Sequence, residues 1–397
     1  MKYFFLLGSN PALSLAELTA VINLKNPVLI GNDFLISESE AEIEPTSLIK
    51  NLGGIIKIGI IRRELVGKVS HDELLAVVKL VIEEKRKISG EGKFNFGFSD
   101  YGPRGFNKKD LGIKLKRYFS EQQISSRFVV SQEKSLSSVV VEQNKLIRRG
   151  IEVILTEETG KILIGETLAV QPFKDLSLRD YGRPARDDQS GMLPPKLAQA
   201  MINLAQIEDK ESLLVDPFCG SGTVLSEALL LGYKNICGSD ISIKAVDDTK
   251  KNISWLKELY KLRDIKFKFA AKNVLDLSKF VKIESAAAIV TEPYLGPQRG
   301  RIEFEAVIKE LENLYSGAMR EFHKILIPGG RAVMVWPIFY GDRPINPVIK
   351  GFRTVNFLSG DFEHHSVIKE FLSERGNIVY GRQGQKVFRE VIVLEKE

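Results

Sequence analysis

Residues 213–223 read LLVDPFCGSGT, and the fold expected for the second half of the chain follows from this segment. The apolar run Leu213–Val215 predicts a buried strand, followed by a tight turn and a helix that begins near Thr223. Gly220 and Gly222 lack a Cβ atom, so the backbone at the turn can bend sharply and approach a ligand closely. The helix would point free backbone N–H groups at the same place. The pattern predicts a ligand-binding loop at the carboxyl end of a strand.

Strands and helices alternate around this loop. Such alternation predicts an α/β fold with a doubly wound, mostly parallel sheet. The runs 378–380 and 387–394 flank Gln383-Gly384-Gln385 and predict a hairpin that adds an antiparallel strand at the end of the sheet. The predicted strands are 213–215, 235–239, 266–269, 286–290 and 332–336, and the predicted helices are 194–205, 223–231, 243–262 and 304–325.

Two carboxylates near the loop indicate which kind of cofactor it holds. Asp240 ends the second predicted strand, 20 residues after Gly220, where an acid can accept hydrogen bonds from ribose hydroxyls. A dinucleotide is one candidate, but the turn lacks the third glycine of the G-x-G-x-x-G pattern. Asp216 would also repel a pyrophosphate, whereas it suits the cationic amino-acid end of S-adenosylmethionine. The pattern favours S-adenosylmethionine, and a glycine turn that binds no ligand is the remaining alternative.

The loop resembles that of class I methyltransferases, and specifically that of the THUMP-domain RNA methyltransferases. The match extends upstream to Arg183-Pro184 and to residues 191–198, GMLPPKLA. A weaker match at the amino terminus rests on the pattern of residues 7–18 and on Ser137-Ser138. The family it resembles is that of the tRNA guanosine N2-methyltransferases acting at position 10. The resemblance implies a ferredoxin-like domain at 1–85, a THUMP domain at 86–165, a linker at 166–195 and a Rossmann-like class I methyltransferase domain at 196–397.

The same resemblance implies a set of cofactor-binding residues. Asp216 and Gly220 would bind the methionine end of S-adenosylmethionine, and Asp240 would bind the ribose. Asn273, after the third predicted strand, would lie beside the adenine, where the family often has Asp. The other candidates for the cofactor site are Phe218, Gly222, Thr223, Ile241, Val274, Arg183 and Pro184. For Arg183 and Pro184, a surface loop is the alternative interpretation.

The residues Thr291-Glu292-Pro293-Tyr294 follow the fourth predicted strand and are the candidates for catalysis. The segment is similar to the D-P-P-Y and N-P-P-Y motifs of amino-methyltransferases. An exocyclic amine is a poor nucleophile because its lone pair is delocalised into the ring. Acceptors for both of its N–H groups favour the tetrahedral nitrogen that attacks a methyl group. Tyr294 matches the aromatic residue that stacks on a flipped-out base.

Glu292 stands where the motif has its first proline, and this departure leaves three interpretations open. In the first, the Thr291 hydroxyl and the backbone carbonyl of Glu292 accept the two N–H groups. In the second, the Glu292 carboxylate is the acceptor and Thr291 is structural. In the third, the chain is an RNA-binding protein that has lost its activity. For an active enzyme the expected substrate is guanine N2 in tRNA, and adenine N6 or ribosomal RNA are the alternatives.

Positive charge is concentrated in residues 93–150, which contain 12 Lys and Arg residues against 5 Asp and Glu residues. Because the whole chain has a net charge of +6, the other residues sum to −1. A field this localised suits a phosphate-bearing partner, although a solvated domain surface would look the same. By the resemblance, this region would bind the acceptor end of tRNA. The candidate RNA-binding residues are Lys108, Lys109, Lys116, Arg117, Arg148, Arg149, Arg299 and Arg301.

The basic region also has a predicted secondary structure. A basic amphipathic helix is predicted over 108–119, because apolar residues recur among the lysines at helical spacing. Residues 127–130, 138–141 and 151–155 are β-rich and predict strands.

The rest of the composition narrows the class of protein. The two cysteines and four histidines show no metal-ligand spacing, so no metal site is expected. No apolar run approaches the length of a membrane span, about 18 residues. Two unpaired cysteines suit a reducing compartment, so a cytoplasmic location is expected.

Overall fold

The computed structural model of this chain describes residues 1–90, 92–102, 105–186, 192–297, 303–358, 362, 364–382 and 384–397. The chain forms two compact units. The first consists of Met1–Ser9, Asn23–Asn51 and Ile55–Phe173, and the second of Asn10–Ile22, Leu52–Gly54 and Lys174–Glu397. Each unit is built around its own β-sheet.

The first unit contains an eight-stranded sheet. Its strands are β1 (Lys2–Leu7), β2 (Lys25–Ile30), β3 (Phe34–Glu38), β4 (Ile55–Val66), β5 (Phe94–Asp100), β6 (Ser126–Val129), β7 (Gly150–Glu158) and β8 (Lys161–Val170). Helix α1 (Pro11–Val21) belongs to the second unit, and the helices of the first are α2 (Pro45–Leu48), α3 (His71–Ile88), α4 (Lys108–Glu121) and α5 (Ser138–Gln143). The strand order is β2-β3-β1-β4-β8-β7-β5-β6. Apolar side chains of α3 and α4 pack on β5 and β7 to form the main core.

The predicted boundary at residue 85 does not coincide with a break in this sheet. β4 lies before that boundary and β8 after it, and the two strands pair antiparallel along most of their length. The pairing of β4 with β8 satisfies backbone N–H and C=O groups that would otherwise be unpaired at the edges of two separate sheets. The identification of the two halves as ferredoxin-like and THUMP domains stays a prediction.

The helix predicted over 108–119 is present as α4, but the strand predicted over 138–141 is wrong because this segment forms α5. The Ser137 hydroxyl accepts a hydrogen bond from the N–H of Val140 and caps the helix. Val141 is buried in a small cluster with Val129, Leu136 and Leu146. The cap and this packing outweigh the β propensity of three consecutive valines.

The second unit contains a nine-stranded sheet that is parallel in its first five strands. Its strands are β9 (Leu213–Asp216), β10 (Asn235–Asp240), β11 (Lys266–Ala271), β12 (Ala286–Thr291), β13 (Leu326–Phe339), β14 (Arg343–Pro344), β15 (Phe352–Thr354), β16 (Ile378–Tyr380) and β17 (Val387–Lys396). Its helices after α1 are α6 (Phe173–Tyr181), α7 (Pro195–Leu204), α8 (Thr223–Leu230), α9 (Ile243–Leu259), α10 (Phe304–Ile325) and α11 (Ser366–Lys369), with a 3₁₀ turn at Val274–Lys279.

The order of the main strands in this sheet is β11-β10-β9-β12-β13-β17-β15. β17 runs antiparallel to β13, and β16 pairs antiparallel with β17. The predicted doubly wound sheet and its terminal hairpin are therefore confirmed. One detail differs, because β17 lies between β13 and β15 and is not an outer strand.

Helix α1 lies early in the sequence but is part of the second unit. The fully buried Glu17 accepts hydrogen bonds from the N–H groups of Gly53 at 2.8 Å and Gly54 at 2.7 Å, and from the amide of Asn203 at 2.7 Å. Burial raises the pKa of Glu17 to about 7, although these three hydrogen bonds lower it. The Glu17 carboxylate therefore links α1 to the turn at Gly53 and Gly54 and to α7.

Candidate functional site

The predicted ligand-binding loop connects β9 to α8. The N–H of Cys219 donates to the carbonyl of Ser239 at 2.9 Å, which holds the loop beside β10. Gly222 precedes α8 with a φ of 83°, a left-handed conformation that favours glycine. A Cβ at Gly222 would also lie 3.0 Å from the Thr249 side chain. The left-handed conformation therefore favours glycine here, and any other residue would also have to displace the Thr249 side chain.

Asp240 lies at the carboxyl end of β10, next to the loop. Its Oδ2 atom accepts a hydrogen bond from the N–H of Gly220 at 3.1 Å, and its Oδ1 atom accepts one from Ser242 at 2.9 Å. An ionised carboxylate has about four acceptor positions, so hydroxyl groups of a ligand can still donate to it. The position agrees with the predicted role in binding a ribose.

A cavity of about 770 Å³ opens in front of the loop. Its volume lies within the range of roughly 300–1,000 Å³ that small-molecule sites have. Glu292, Pro293 and Tyr294 line the same cavity, so the cofactor and catalytic candidates come together. Gly222, Arg183 and Pro184 do not line it. The predicted cofactor residues that do are Asp216, Phe218, Gly220, Thr223, Asp240, Ile241, Asn273 and Val274.

Two polar residues of α9 hold the loop from behind, and sequence reasoning missed both. Thr249 Oγ1 donates to the carbonyl of Gly220 at 2.8 Å. The amide of Asn252 donates to the carbonyl of Ser221 at 2.8 Å and exchanges two hydrogen bonds with the backbone of Ala185. Both side chains are buried. Polar residues spaced one turn apart among the buried positions of an amphipathic helix are the signal that could have identified them.

Arg183 supports the loop without facing the cavity. Its side chain is buried, and its Nη1 atom donates to Oγ1 of Thr223, the first residue of α8, at 2.6 Å. Arg179 of α6 forms an ion pair with Glu227 of α8, with Nε and Oε1 2.8 Å apart. The segment before the loop is therefore packed on α8, and a surface loop does not describe Arg183. Pro184 is exposed.

Thr291 is wholly buried at the end of β12 and is absent from the lining of the cavity. Its hydroxyl donates to Oδ1 of Asp216 at 2.6 Å, and the N–H of Phe218 donates to the same oxygen at 3.2 Å. The hydroxyl is thus engaged in the core between β9 and β12. The interpretation of Thr291 as an acceptor for a substrate amine does not fit this position, and that of a structural Thr291 does.

The buried carboxyl of Asp216 has a pKa raised to about 7. Burial is the largest cause, the hydrogen bonds from Thr291 and Phe218 oppose it, and the charges of Asp240 and Glu292 add to it. A cation bound beside Asp216 would favour its ionised form. The cavity therefore suits a positively charged ligand.

We expect the stability of the cofactor-free chain to fall as the pH rises from 5 to 8. An acid whose pKa is higher in the folded state binds more protons when folded, so stability is lost as the pH rises through that pKa. For Asp216, a shift from 3.8 to about 7 corresponds to at most about 4 kcal/mol. Asp216→Asn should therefore raise the free energy of unfolding at pH 8 more than at pH 5. Denaturant unfolding at both pH values measures this.

The matched control for that measurement is Asp247→Asn, because Asp247 is an exposed acid on α9 that does not line the cavity. This substitution should change stability equally little at both pH values. An equal effect of Asp216→Asn at pH 5 and pH 8 would show that the buried carboxyl does not titrate in this range.

Glu292 lines the cavity and forms an ion pair with Arg389 of β17. The guanidinium donates from Nε to Oε1 at 2.5 Å and from Nη2 to Oε2 at 3.4 Å. Burial is the largest influence on the pKa of Arg389 and lowers it, but the charge and hydrogen bonds of Glu292, together with Tyr380, outweigh burial and leave that pKa raised. The ion pair holds the carboxylate in one orientation. Sequence reasoning missed Arg389 because the two residues are 97 positions apart.

Tyr294 presents an open aromatic ring to the cavity. Its side chain is 56% exposed, while the neighbouring Pro293 is buried. The hydroxyl of the buried Tyr315 donates to the backbone carbonyl of Tyr294 at 3.0 Å. The backbone is therefore fixed while the ring remains accessible, an arrangement suited to stacking with a planar ligand.

The candidate RNA-binding residues of the first unit fall on two edges of its sheet. Lys108 donates to backbone carbonyls of the loop after β6. Lys116 donates to the carbonyl of Ser126, where β6 begins, and Arg148 and Arg149 are exposed just before β7 begins. Because β5, β6 and β7 are parallel, Lys116, Arg148 and Arg149 lie where these strands begin, whereas Lys108 lies where they end. Of the other candidates, Lys109 and Arg117 are exposed, and Arg299 and Arg301 lie outside the described residues.

Three further observations concern metals, thiols and membranes. Within the described residues, no group of three or more His, Cys, Asp or Glu side chains is placed to hold a metal ion. Cys219 and Cys237 are buried free thiols, and burial raises the pKa of Cys237 to about 12. In the described part of the chain, no helix has both the length and the apolar character to cross a membrane.

Two family models match parts of the sequence. One, described as an RMKL-like methyltransferase domain, matches residues 183–338. The other, described as a DNA methylase, matches residues 105–251. The first range contains the glycine loop and Thr291–Tyr294, whereas the second ends within α9. The first model therefore covers the whole cavity wall from the loop to the catalytic candidates.

Curated relatives named tRNA (guanine(10)-N2)-dimethyltransferase are similar to the chain. The protein of Methanothermobacter thermautotrophicus is 33% identical over 49% of this chain and 58% of its own length. That of Pyrococcus abyssi is 23% identical over 89% of this chain and 94% of its own length. A protein of Methanothermococcus thermolithotrophicus, named as a probable member, is 34% identical over 27% of this chain and 67% of its own length.

Among solved structures, TrmN from Thermus thermophilus is similar over the full length of both chains. The TM-score is 0.55 and the sequence identity is 17%. A likeness at this identity concerns the fold alone. With the strand order, it confirms the predicted Rossmann-like class I methyltransferase fold.

Proposed function

The chain belongs to the family of the tRNA (guanine(10)-N2)-dimethyltransferases, and we propose from this that it methylates the N2 amine of a guanosine in tRNA, at position 10, with S-adenosylmethionine as the methyl donor. One observation carries the proposal: a single cavity joins the glycine loop and its two carboxylates to Glu292 and an open tyrosine ring. We place the protein in the cytoplasm, where its two thiols stay reduced. The first unit would contain the ferredoxin-like and THUMP domains.

The residues present fit S-adenosylmethionine. A Cβ at Gly220 would meet no atom within 4 Å, so the space before the loop is open to a ligand. The buried Asp216, with its raised pKa, would gain a cationic partner from the amino-acid end. Asp240 would accept the ribose hydroxyls, with Ile241 and Asn273 beside the adenine. When bound, this group supplies an electrophilic methyl on a sulfonium.

Glu292 is the acceptor that we assign to the substrate amine. The buried Thr291 hydroxyl is bound to Asp216, whereas the Glu292 carboxylate lines the cavity and is oriented by Arg389, and this difference supports Glu292 for the role. An N–H···carboxylate hydrogen bond would favour the tetrahedral nitrogen, whose lone pair forms the new N–C bond while the bond between the methyl group and the sulfonium sulfur breaks. The nitrogen then carries a positive charge and loses one proton, which the carboxylate can accept and pass to solvent.

Tyr294 is the residue that we assign to holding the base. A guanine inside a stem is stacked, so it must leave the stack before its amine reaches the cavity. The exposed ring of Tyr294 offers a stacking partner at the cavity wall. Stacking on one face and a hydrogen bond to Glu292 at the edge would place the amine toward the donor.

The exposed cations of the first unit are proposed to bind the tRNA backbone. We expect Arg117→Glu, Arg148→Glu and Arg149→Glu together to weaken tRNA binding at least tenfold, because phosphate contacts supply much of the affinity. Each lost contact should also reduce the slope of log K against log salt concentration by roughly 0.9. Filter binding of tRNA at several salt concentrations measures both quantities. The control triple, Lys50→Glu, Lys68→Glu and Lys87→Glu, reverses the same number of exposed cations elsewhere in this unit. Equal losses in both triples would contradict a specific surface.

The proposed activity is tested with methyl-labelled S-adenosylmethionine and an unmodified tRNA transcript. Nuclease digestion and mass spectrometry should reveal N2-methyl- or N2,N2-dimethylguanosine. A transcript with adenosine at position 10 should remain unlabelled. Methyladenosine as the product would overturn the substrate, and binding of the cofactor and RNA without transfer would favour an RNA-binding protein that has lost its activity.

A further inference from the structure

Two connections meet at the carboxyl edge of the second sheet, beside the catalytic candidates. One follows β13 and leads into β14, and the other leads from β16 into β17. The N–H of Tyr340 donates to the carbonyl of Lys386 at 2.8 Å, and Phe339 pairs with Val387 in the ladder. The ends of the two hairpins are therefore joined by backbone hydrogen bonds.

This pair of hairpins also borders the catalytic segment directly. A Cβ at Gly296, two residues after Tyr294, would lie 3.2 Å from the ring of Phe339. Arg389, two residues into β17 from Val387, forms the ion pair with Glu292. The hairpin ends thus lie next to the place where the target base would be held.

Tyr340 has an unusual conformation and environment. Its φ is 53°, in the left-handed region that side chains other than glycine rarely adopt. Its ring is 54% exposed and meets Phe304 edge-on, with ring centroids 4.9 Å apart. Because the ring is more than half exposed, its burial contributes little to offset the cost of this backbone conformation. Nine described residues other than glycine have a positive φ, and Tyr340 is the aromatic residue among them.

Exposed cations lie close in sequence to the two chain segments that meet at this tyrosine. Arg343 at the start of β14, and Arg382 and Lys386 on the connection from β16 to β17, are exposed, and Asp342 is an exposed acid next to Arg343 in the sequence. The Arg343 guanidinium lies 5.9 Å from the centroid of Phe304, the ring that contacts Tyr340. An exposed aromatic ring among cations is the combination that binds single-stranded nucleic acid.

We propose that Tyr340, Arg343, Arg382 and Lys386 form a contact surface for the RNA strand that flanks the target base, here called the hairpin surface. The inference rests on the proposed function, because it gives the substrate tRNA a second contact in the unit that contains the cavity. Extrusion of one base leaves its neighbours without a stacking partner on one side. Tyr340 would stack on such a neighbour, and the three cations would contact the adjoining phosphates.

The test compares two changes of the hairpin surface with a matched control. Tyr340→Asn removes the ring and keeps a residue that tolerates the left-handed conformation. Arg343→Ala, Arg382→Ala and Lys386→Ala together remove the charge. The control triple, Arg263→Ala, Lys266→Ala and Lys282→Ala, removes three exposed cations near the amino ends of β11 and β12, at the opposite edge of the sheet.

For each variant, tRNA binding, kcat/KM for methylation and the Kd for S-adenosylmethionine are measured. We expect each hairpin variant to lower kcat/KM about tenfold or more, consistent with the loss of one stacked base or several phosphate contacts. Cofactor affinity should stay unchanged, and the charge triple should flatten the salt dependence of tRNA binding. The control triple should leave all three quantities near those of the unaltered chain.

Unchanged tRNA binding and kcat/KM in both hairpin variants would overturn the inference. Equal losses in the control triple would do so as well, because they would indicate a general effect of charge. If the unaltered chain binds tRNA but transfers no methyl group, the proposed function fails, while tRNA binding by the variants still decides on the hairpin surface.

Discussion

Replacing Asp240 with alanine is expected to weaken binding of S-adenosylmethionine by about 100-fold, since hydrogen bonds to a charged group are worth roughly 1.5–3 kcal/mol each. The carboxylate has two functions that the substitution removes together. It would accept the ribose hydroxyls, and it holds the N–H groups of Gly220 and Ser242 in the loop geometry. Isothermal titration calorimetry with S-adenosylmethionine measures the loss.

A matched substitution controls for general effects of losing an acid. Asp247→Ala removes an exposed carboxylate of α9 that is not part of the cavity lining, and it should leave cofactor affinity unchanged. The tRNA affinity of the Asp240→Ala variant should also change little, because the proposed RNA contacts lie elsewhere. Cofactor affinity within about threefold of the unaltered chain would contradict the site, as that difference is under 1 kcal/mol.

Tyr294→Ala is expected to reduce kcat for tRNA methylation at least about 50-fold, because stacking on an aromatic ring contributes roughly 1–3 kcal/mol per base and also positions the amine. Since the ring is more than half exposed, its removal should leave the fold and cofactor affinity nearly intact. Single-turnover methylation with saturating enzyme separates this effect on the chemical step from tRNA binding.

Tyr294→Phe is the informative companion variant. It keeps the ring and removes only the hydroxyl, so most of the activity should remain if stacking is the role of this residue. If both variants lose activity equally, the hydroxyl is the functional group and the stacking assignment is wrong. If Tyr294→Ala turns over at the normal rate, the residue does not hold the base.

The departure from the D-P-P-Y motif is easier to understand with the structure. A proline at position 292 could not form an ion pair with Arg389 because its ring is uncharged, whereas glutamate places a carboxylate at the cavity wall. At position 291 an aspartate would lie against the buried Asp216, and two carboxylates in that space would repel each other. Threonine donates a hydrogen bond to Asp216 instead. Thr291 and Glu292 thus each have a partner in the structure, and together they keep one carboxylate, that of Glu292, at the cavity wall.

The architecture of the methyltransferase unit could be predicted from the sequence, because the information that specifies it is local. The spacing of apolar residues predicted the strands and helices, and LLVDPFCGSGT predicted the loop between β9 and α8. Asp240 was predicted from its distance to that loop and lies beside it. Each feature depends on residues within about one strand–turn–helix segment, whose patterns are readable in one dimension.

Which side chains face the cavity and which support it could not be predicted from the sequence, because this depends on how distant segments pack. Thr291 and Glu292 are adjacent in sequence, yet one is bound to Asp216 in the core and the other to Arg389 at the cavity wall. The division of the basic residues between two sheet edges and the placement of α1 in the second unit likewise depend on strand pairing and packing. These contacts join residues dozens to hundreds of positions apart, and no local pattern specifies them because long-range packing overrides local preference.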